Sequence, residues 1–492
     1  MNHPYSLIFL CLLVSFSLSA QKKFPRGLLP EAEDIYIENT PQRAPLVRSG
    51  YAKLPSAASM RAYAPLPKHQ GDYGNCTGWA SSYCARTILE AIANGWTDKR
   101  TITDMAFSPG FSFLQGGGKG EECSGAFNTT VVRSLGVRGA VRRSEMVVSN
   151  GTEECPRYPL DLGVLQAAQQ NVIPHPITLW APGFQDGPTK VKRVKRAIAA
   201  KHPVVISMVV PESFTEIGPD GLWKPTQETP SRYDKLMNCH AMTIIGYDDN
   251  RFGGSFEIQN SWGVGFGDGG YAYVRYTDMP AFVYQAFEVF KSPYSESAAP
   301  PEELVLSGRL RLIDYRSGRD LPVTLAKTTR NWTVGGGLGD YTYKIDGPLA
   351  RGIQMQVLLE SREPAFVYLL GTGTQSSTAG LLFPQPGFSA AMNYAGYEVA
   401  IPSEDKYFTE NNKGTNNLLL LYSAEPLDIE DILSRLNQDT STSIDKRLDA
   451  TIRDMLIDPD NITFASDEIA FQAGLSSGRK AFAMIIQSDH AE

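Results

Sequence analysis

Apolar residues recur at Cys76, Ala80, Cys84, Ile88 and Ala91, a spacing of three to four that lines one side of a helix, and Asn94-Gly95 follows as a stop. This predicts a buried helix of about five turns starting at Cys76. VKRVKRAIAAKH, 191 to 202, predicts a second helix ended by Pro203. VVISMVV, directly after it, is apolar almost throughout and predicts a buried strand. AMTIIGY, SFEIQN and GYAYVRY follow as further strands, the first two joined by the turn DDNRFGG. Residues 54 to 290 therefore read as an α+β domain, with helices early and strands late.

The pattern changes after KSPYSESAAPPEE, 291 to 303, a Ser/Pro/Glu-rich linker that marks a domain boundary. Beyond it, LSGRLRLIDY, MQVLLES, AFVYLLG and NLLLLYS are separated by Gly, Pro and Asn turns, and predict a β-rich domain over 304 to 492, of sandwich type. A helical interruption from about Asp428 to Ile457 precedes two last strands, ITFAS and AFAMIIQ. At the other end, residues 21 to 53 are polar and proline-punctuated and read as an arm or short pro-segment. The first 20 residues hold an apolar run, Tyr5 to Leu18, shorter than the roughly 20 residues a bilayer span needs, and then small residues. A cleaved secretory signal is the expectation, and with it a secreted, periplasmic or cell-surface location.

Composition narrows the classes. The chain has 492 residues, 42% hydrophobic and 20% charged, with a formal charge of -7. That balance suits a multidomain globular protein and offers no basic face for nucleic acid and no polybasic membrane patch. Without Cys11, which lies in the signal, five cysteines remain: Cys76, Cys84, Cys123, Cys155 and Cys239. An odd number in a secreted chain asks which thiol stays free.

Cys76 has the best surroundings for chemistry. Asn75 is a good N-cap, which places Cys76 in the first helical turn, where unpaired N–H groups and the helix dipole favour a thiolate. A thiolate nucleophile needs a histidine, and His240 opens the strand AMTIIGY, whereas His175 lies between prolines and His202 ends a helix. If Tyr247 pairs with Ser255, paired positions sum to 502, so His240 faces Trp262 with Asn260 as its diagonal neighbour. An amide oxygen on one ring nitrogen fixes the tautomer that leaves the other free to take a proton, and Asn260 suits that role. Trp262 would shield the contact from water. For the oxyanion of an acyl transfer, the Cys76 backbone N–H and the Gln70 side-chain amide are the candidate donors.

QGDYGNCTGWA, NCHAMTIIGYDD and QNSWGVGFGDGGYAYV, in this order, resemble the papain-like cysteine peptidases over residues 54 to 290. LPSAASMRAYAPLPKHQ is similar to that family's mature N-terminus and ECSGAFNTTVVRSLG to its cleft-lining segment. The resemblance implies a two-lobed fold, a helical lobe beside a β-barrel-like lobe, with Cys76 as nucleophile, His240 as acid/base, Asn260 as its orienter and Gln70 in the oxyanion hole. It further implies that Gly125 offers backbone hydrogen bonds to an extended peptide. Thr77 stands where the family usually has tryptophan, with Trp79 two positions on, and Tyr73 stands where many relatives have a disulfide cysteine. That leaves Cys123 and Cys155 as the implied bridge, worth about 3 to 4 kcal/mol by loop entropy, and Cys84 and Cys239 as packed thiols. The arm is shorter than the family's long helical inhibitory propeptide. The second domain resembles a bacterial domain of unknown function appended to peptidases and kinases, which implies binding or anchoring through an unidentified ligand or partner.

Other signals lead nowhere. GGGKGEE, 116 to 122, has Gly120 where a phosphate loop needs Ser or Thr; TVGGGLGD, 333 to 340, reads as a turn; Asp458, Asp460 and Asn461 lack the glycine and distal glutamate of a calcium loop. Neither metal nor cofactor is expected. The sequence reading is thus a secreted cysteine peptidase that hydrolyses peptide bonds of peptides or proteins through a thioester. The alternatives are acyl transfer of transglutaminase type, whose third residue is normally Asp, and a non-catalytic peptide-binding module on the same fold.

Overall fold

The computed structural model describes residues 24–31, 41–44, 54–118, 123–173, 176–180, 183–290, 305–326, 342–373, 376–392, 397–403, 406–410, 414–438, 443–475 and 479–490. The signal segment, the linker, most of the arm, His175, residues 119 to 122 and TVGGGLGD lie outside them.

In the first domain the apolar stripe folds as expected, with an unexpected pitch. Cys76–Gly78 is α-helical, Trp79–Arg86 is a π-helix and Thr87–Ala93 is α-helical again, running on as one helix, α1. Cys76, Ala80, Cys84, Ile88 and Ala91 are all buried. The wide turns free backbone carbonyls that hydroxyls then satisfy: Ser81 donates to Thr77, Thr243 to Ala80 and Thr87 to Ser82. Helices Asn128–Val137, α2, and Gly187–Ala199, α3, follow. The second was expected from Val191 and starts earlier because Asp186 caps it, accepting from the Thr189 N–H.

Seven antiparallel strands form one sheet: Ala57–Ser59 (β1), Ile177–Thr178 (β2), Val204–Val209 (β3), Cys239–Asp248 (β4), Ser255–Gln259 (β5), Tyr271–Arg275 (β6) and Val283–Glu288 (β7). The order is β2-β7-β3-β4-β5-β6, with β1 on β4. β2 and β6 do not pair with each other, so among the described residues the sheet is open rather than a closed barrel. One core of aliphatic and aromatic side chains lies between α1 and this sheet.

The assumed hairpin register needs a correction. Tyr247 pairs with Phe256, not Ser255, so positions near the turn sum to 503. A bulge between Ile244 and Gly246 absorbs one residue, and from Ile244 and Ile258 onward the pairs sum to 502. The bulge restores the frame in which His240 and Trp262 meet.

Beyond the linker, two seven-stranded sheets stack. One holds Val323–Ala326, Thr342–Ile345, Ala481–His490, Gly414–Ser423, Ala365–Gly373 and Ser376–Phe383 in that order, with Ala391–Met392 beside it. The other runs Tyr397–Ile401, Ile353–Ser361, Val305–Asp314, Ile469–Gly474 and Ile462–Phe464, with Phe408–Glu410 and Arg319–Asp320 attached. The expected helical interruption is two helices, Ile429–Leu436 and Ile444–Ile452. Val367, Leu369, Leu420 and Tyr422 enter the core between the sheets. Phe366, Tyr368, Leu370, Leu419 and Leu421 point the other way, into a core shared with those helices and with Ile177 and Phe290 of the first domain. The runs AFVYLLG and NLLLLYS are apolar without alternation because both faces are covered.

A short piece of the arm stitches the two domains. Gln42 bridges Thr178 on one side and Phe388 on the other, while Arg43 pairs with the buried Glu288.

Candidate active site

Cys76 begins α1 and His240 is the second residue of β4, whose next residue, Ala241, directs its backbone N–H at the Cys76 thiol. Asn75 sits at the N-cap position, but its side chain does not cap the helix. Its amide donates to the Glu154 carbonyl at 2.6 Å, tying the start of α1 to the segment held by the Cys123–Cys155 disulfide. The implied bridge is present, and Cys76, Cys84 and Cys239 are free and buried.

His240 Nε2 lies 2.8 Å from Asn260 Oδ1, which also accepts from the Ser261 N–H at 2.7 Å. Because an amide oxygen can only accept, Nε2 carries the hydrogen and Nδ1 keeps the lone pair. Nδ1 is buried with no hydrogen-bond partner. The Trp262 ring stacks on the imidazole, with centroids 4.7 Å apart and planes 23° from parallel. Gln70 is fully buried: its Oε1 accepts from Ser261 Oγ at 2.7 Å and its Nε2 donates to the Tyr73 carbonyl at 2.8 Å, leaving one N–H for another acceptor.

Of the other described histidines, two lie away from the site and His69 is bridged through its backbone to Trp262. His202 pairs with Glu288 at 2.6 Å, His490 lies beside Ser488 in the second domain, and the His69 Nδ1 accepts from Gly71.

What the sequence did not disclose is the cover. Residues Phe24 to Glu31 run over this site. The Trp262 indole N–H donates to the Pro25 carbonyl at 2.9 Å, and the Phe24 ring lies 4.7 Å from Trp262. The Arg26 guanidinium donates to Asn238, two residues before His240. Leu29 N–H donates to Ala126 O and Ala126 N–H to Gly27 O, both at 3.0 Å. The backbone bonds to an extended chain are thus made by Ala126, while Gly125 provides room: a Cβ there would lie 2.8 Å from the Leu29 side chain. Gly27 is pressed as closely on Gly74, since a Cβ on it would meet the Gly74 carbonyl oxygen at 1.9 Å. The only trace of this in the sequence is the run FPRGLLP, apolar and glycine-containing within an otherwise polar arm.

Burial beneath the arm sets the protonation states. It pushes the Cys76 thiol up to about 12, against the pull of the Ala241 and Thr77 backbone N–H groups. It pushes His240 down to about 3, with the Asn260 oxygen opposing and the Arg26 charge adding to the shift. In this covered state both groups are neutral, not the ion pair that the helix terminus alone suggested.

Residues 119–283 match the family model described as papain family cysteine protease. Among curated proteins, the chain is 30% identical over 87 residues to an uncharacterized peptidase C1-like protein of Acanthamoeba polyphaga mimivirus, which is 18% of this chain and 27% of that protein. It is 23% identical over 219 residues to cathepsin K of Mus musculus, covering 43% of this chain and 56% of the relative. The chain thus spans about a quarter and about half the length of these curated relatives. Among solved structures, similarity extends to xylellain, a cysteine protease from Xylella fastidiosa, with 20% identity, a TM-score of 0.43, and 55% of this chain and 97% of that one covered. It extends also to the bromelain protease of Ananas comosus, with 14% identity, a TM-score of 0.36, and coverage of 48% and 100%. The chain carries a papain-family cysteine protease domain.

Proposed function

We propose that this protein is a secreted cysteine peptidase that hydrolyses peptide bonds with Cys76, His240, Asn260 and Gln70. The observation that carries the reading is the His240 Nε2 contact to Asn260 Oδ1 under the stacked Trp262 ring, which leaves Nδ1 as a base on the strand that packs against Cys76. Once the arm lifts and water returns, the Cys76 proton passes to Nδ1 and the sulfur attacks the scissile carbonyl carbon. The Cys76 N–H and the free Gln70 N–H hold the oxyanion. As the C–N bond breaks, Nδ1–H protonates the leaving amine, and a thioester remains. Water then gives a proton to Nδ1 and attacks the thioester, and the returning proton releases the thiol with the carboxylic acid product. Peptides or proteins are the substrates of this chemistry, and a secreted or cell-surface location supplies both the oxidising setting of the Cys123–Cys155 bridge and access to them.

The test is labelling by an epoxide probe for cysteine peptidases under mild reduction. The wild type should react at Cys76, and Cys76→Ala should not react at all. His240→Ala should react at least about 10²-fold more slowly. Loss of labelling in Cys76→Ala but unchanged rates in His240→Ala would show a merely accessible thiol and would sink the reading.

A further inference from the structure

Buried beside Cys76 is a row of polar side chains that the catalytic steps do not use. Asn128, the first residue of α2, donates from Nδ2 to Ser207 Oγ at 3.0 Å. Ser207 Oγ donates to Gln285 Oε1 at 2.6 Å. Asn128, Ser207, Gln285 and Thr129 are all buried. Ser207 and Gln285 face each other across β3 and β7, and Ser207 is paired on its other side with Ala241, whose N–H acts on the Cys76 thiol. The row therefore leads from the sheet to the edge of the reacting sulfur. In an interior of this kind, the desolvation that a chain of hydrogen bonds costs at three positions is offset when its last donor has an acceptor to hold.

That donor is Gln285 Nε2, and it holds the carboxylate of the arm. Gln285 Nε2 donates to Glu31 Oε2 at 2.9 Å, and Thr129 Oγ1 donates to Glu31 Oε1. The orientation is dictated from behind: Ser207 donates to Gln285 Oε1, so the amide turns its N–H outward. Both groups holding the carboxyl are neutral donors, which suit a planar end group bearing an acceptor oxygen. Leu28 and Leu29 of the same segment are placed by the Ala126 backbone bonds, so Glu31 reaches the pocket on a chain already aligned in the cleft.

We infer that Thr129 and Gln285, backed by Ser207 and Asn128, form a specificity pocket for a glutamate or glutamine side chain of a bound peptide, which Glu31 of the arm occupies in this structure. As a statement about substrates the inference rests on the peptidase reading above; as a statement about binding it does not. The sequence carries a faint sign of it, since Ser207 and Gln285 are polar interruptions in the apolar runs VVISMVV and VYQAF.

A binding experiment separates the two. The full chain carries Cys76→Ala to silence chemistry and Gly27→Val with Glu31→Ala to vacate the cleft. Fluorescein-labelled hexapeptides with the arm's sequence RGLLPE, or with Gln, Leu or Lys in the last position, are titrated by anisotropy. The Glu peptide, the Gln peptide or both should bind about tenfold more tightly than the Leu and Lys peptides. Adding Gln285→Glu, which keeps the size but replaces the donor by an acceptor, should abolish the preference for Glu while leaving the Leu peptide within about twofold, so that a folding defect is recognised. Equal affinities for the four peptides, no binding of any of them, or an undiminished Glu preference in Gln285→Glu would each overturn the pocket. Labelling of the wild type at Cys76 judges the peptidase reading separately.

Discussion

Both domains are built on apolar cores, and they differ in the polar groups buried beside them. Between α1 and the seven-stranded sheet, the first domain buries Gln70, Asn128, Ser207, His240, Asn260 and Gln285 around one thiol. Between its two sheets, the second buries Leu306, Val357, Leu369, Leu420 and Met484, with apolar side chains again on the far face. Apolar burial stabilises in proportion to area, whereas each buried polar group costs free energy until it finds a partner. The first domain accepts that cost around the thiol and satisfies part of it, with the His240 Nδ1, the Asn260 Nδ2 and the Asn128 Oδ1 among the atoms left over. The second is joined to the first through the shared apolar core at Ile177 and Phe290.

The contrast is broken most strongly by a cavity in the second domain. Leu420→Ala removes a fully buried side chain between the sheets and should cost about 2–5 kcal/mol in denaturant unfolding, while epoxide labelling of the folded fraction keeps its rate. A parallel loss of labelling would show that the domains act as one unit. The reverse substitution, Asn260→Ala, should lower the labelling rate about 10²-fold through loss of the His240 orientation, with little change in unfolding midpoint. Rescue by Asn260→Leu, which keeps the bulk without an acceptor, would point to bulk rather than to the placed oxygen.

Smaller effects concern the arm. Gly27→Val places a side chain into the Gly74 carbonyl and should undock the arm, raising the labelling rate about tenfold without touching either core. An unchanged rate would mean that the arm already leaves freely. The smallest effect is that of pH. His240 is held near 3 under the arm and returns toward the ordinary 6.5 once water enters, so the open form takes up a proton that the covered form refuses. Docking is therefore strongest above about 6.5 and weakens as pH falls toward 3. The Arg26 charge adds to the lowering of His240, while Cys76 and Cys239 are pushed up by burial and stay neutral in this range. Burial raises Glu31, so protonation there favours docking and opposes the trend in the carboxylate range. In protein labelled with ¹⁵N-tryptophan, the Trp262 indole N–H signal should shift between pH 7 and about 5, and His240→Gln should remove that shift.

Much of this was legible in the residues. The stripe from Cys76 to Ala91, the order of the three motifs, the buried β3 and the Cys123–Cys155 pair depend on local periodicity and on a motif order that survives without knowledge of packing. The His240 and Asn260 contact was reached through a register wrong by one near the turn and corrected by a bulge, since pairing inside a hairpin depends on where one extra residue is accommodated. The π-helical pitch of Trp79–Arg86 was invisible, because it depends on a hydroxyl from Thr243, far along the chain. So were the docking of Phe24 to Glu31 on the site and the double covering of the sheet at Leu419 to Tyr422. Sequence alone determined which groups can do chemistry and which segments must be buried, because both follow from side-chain type and spacing. Only the tertiary structure decided their protonation and what covers them, because those depend on desolvation, and desolvation is set by whichever distant segment excludes the water.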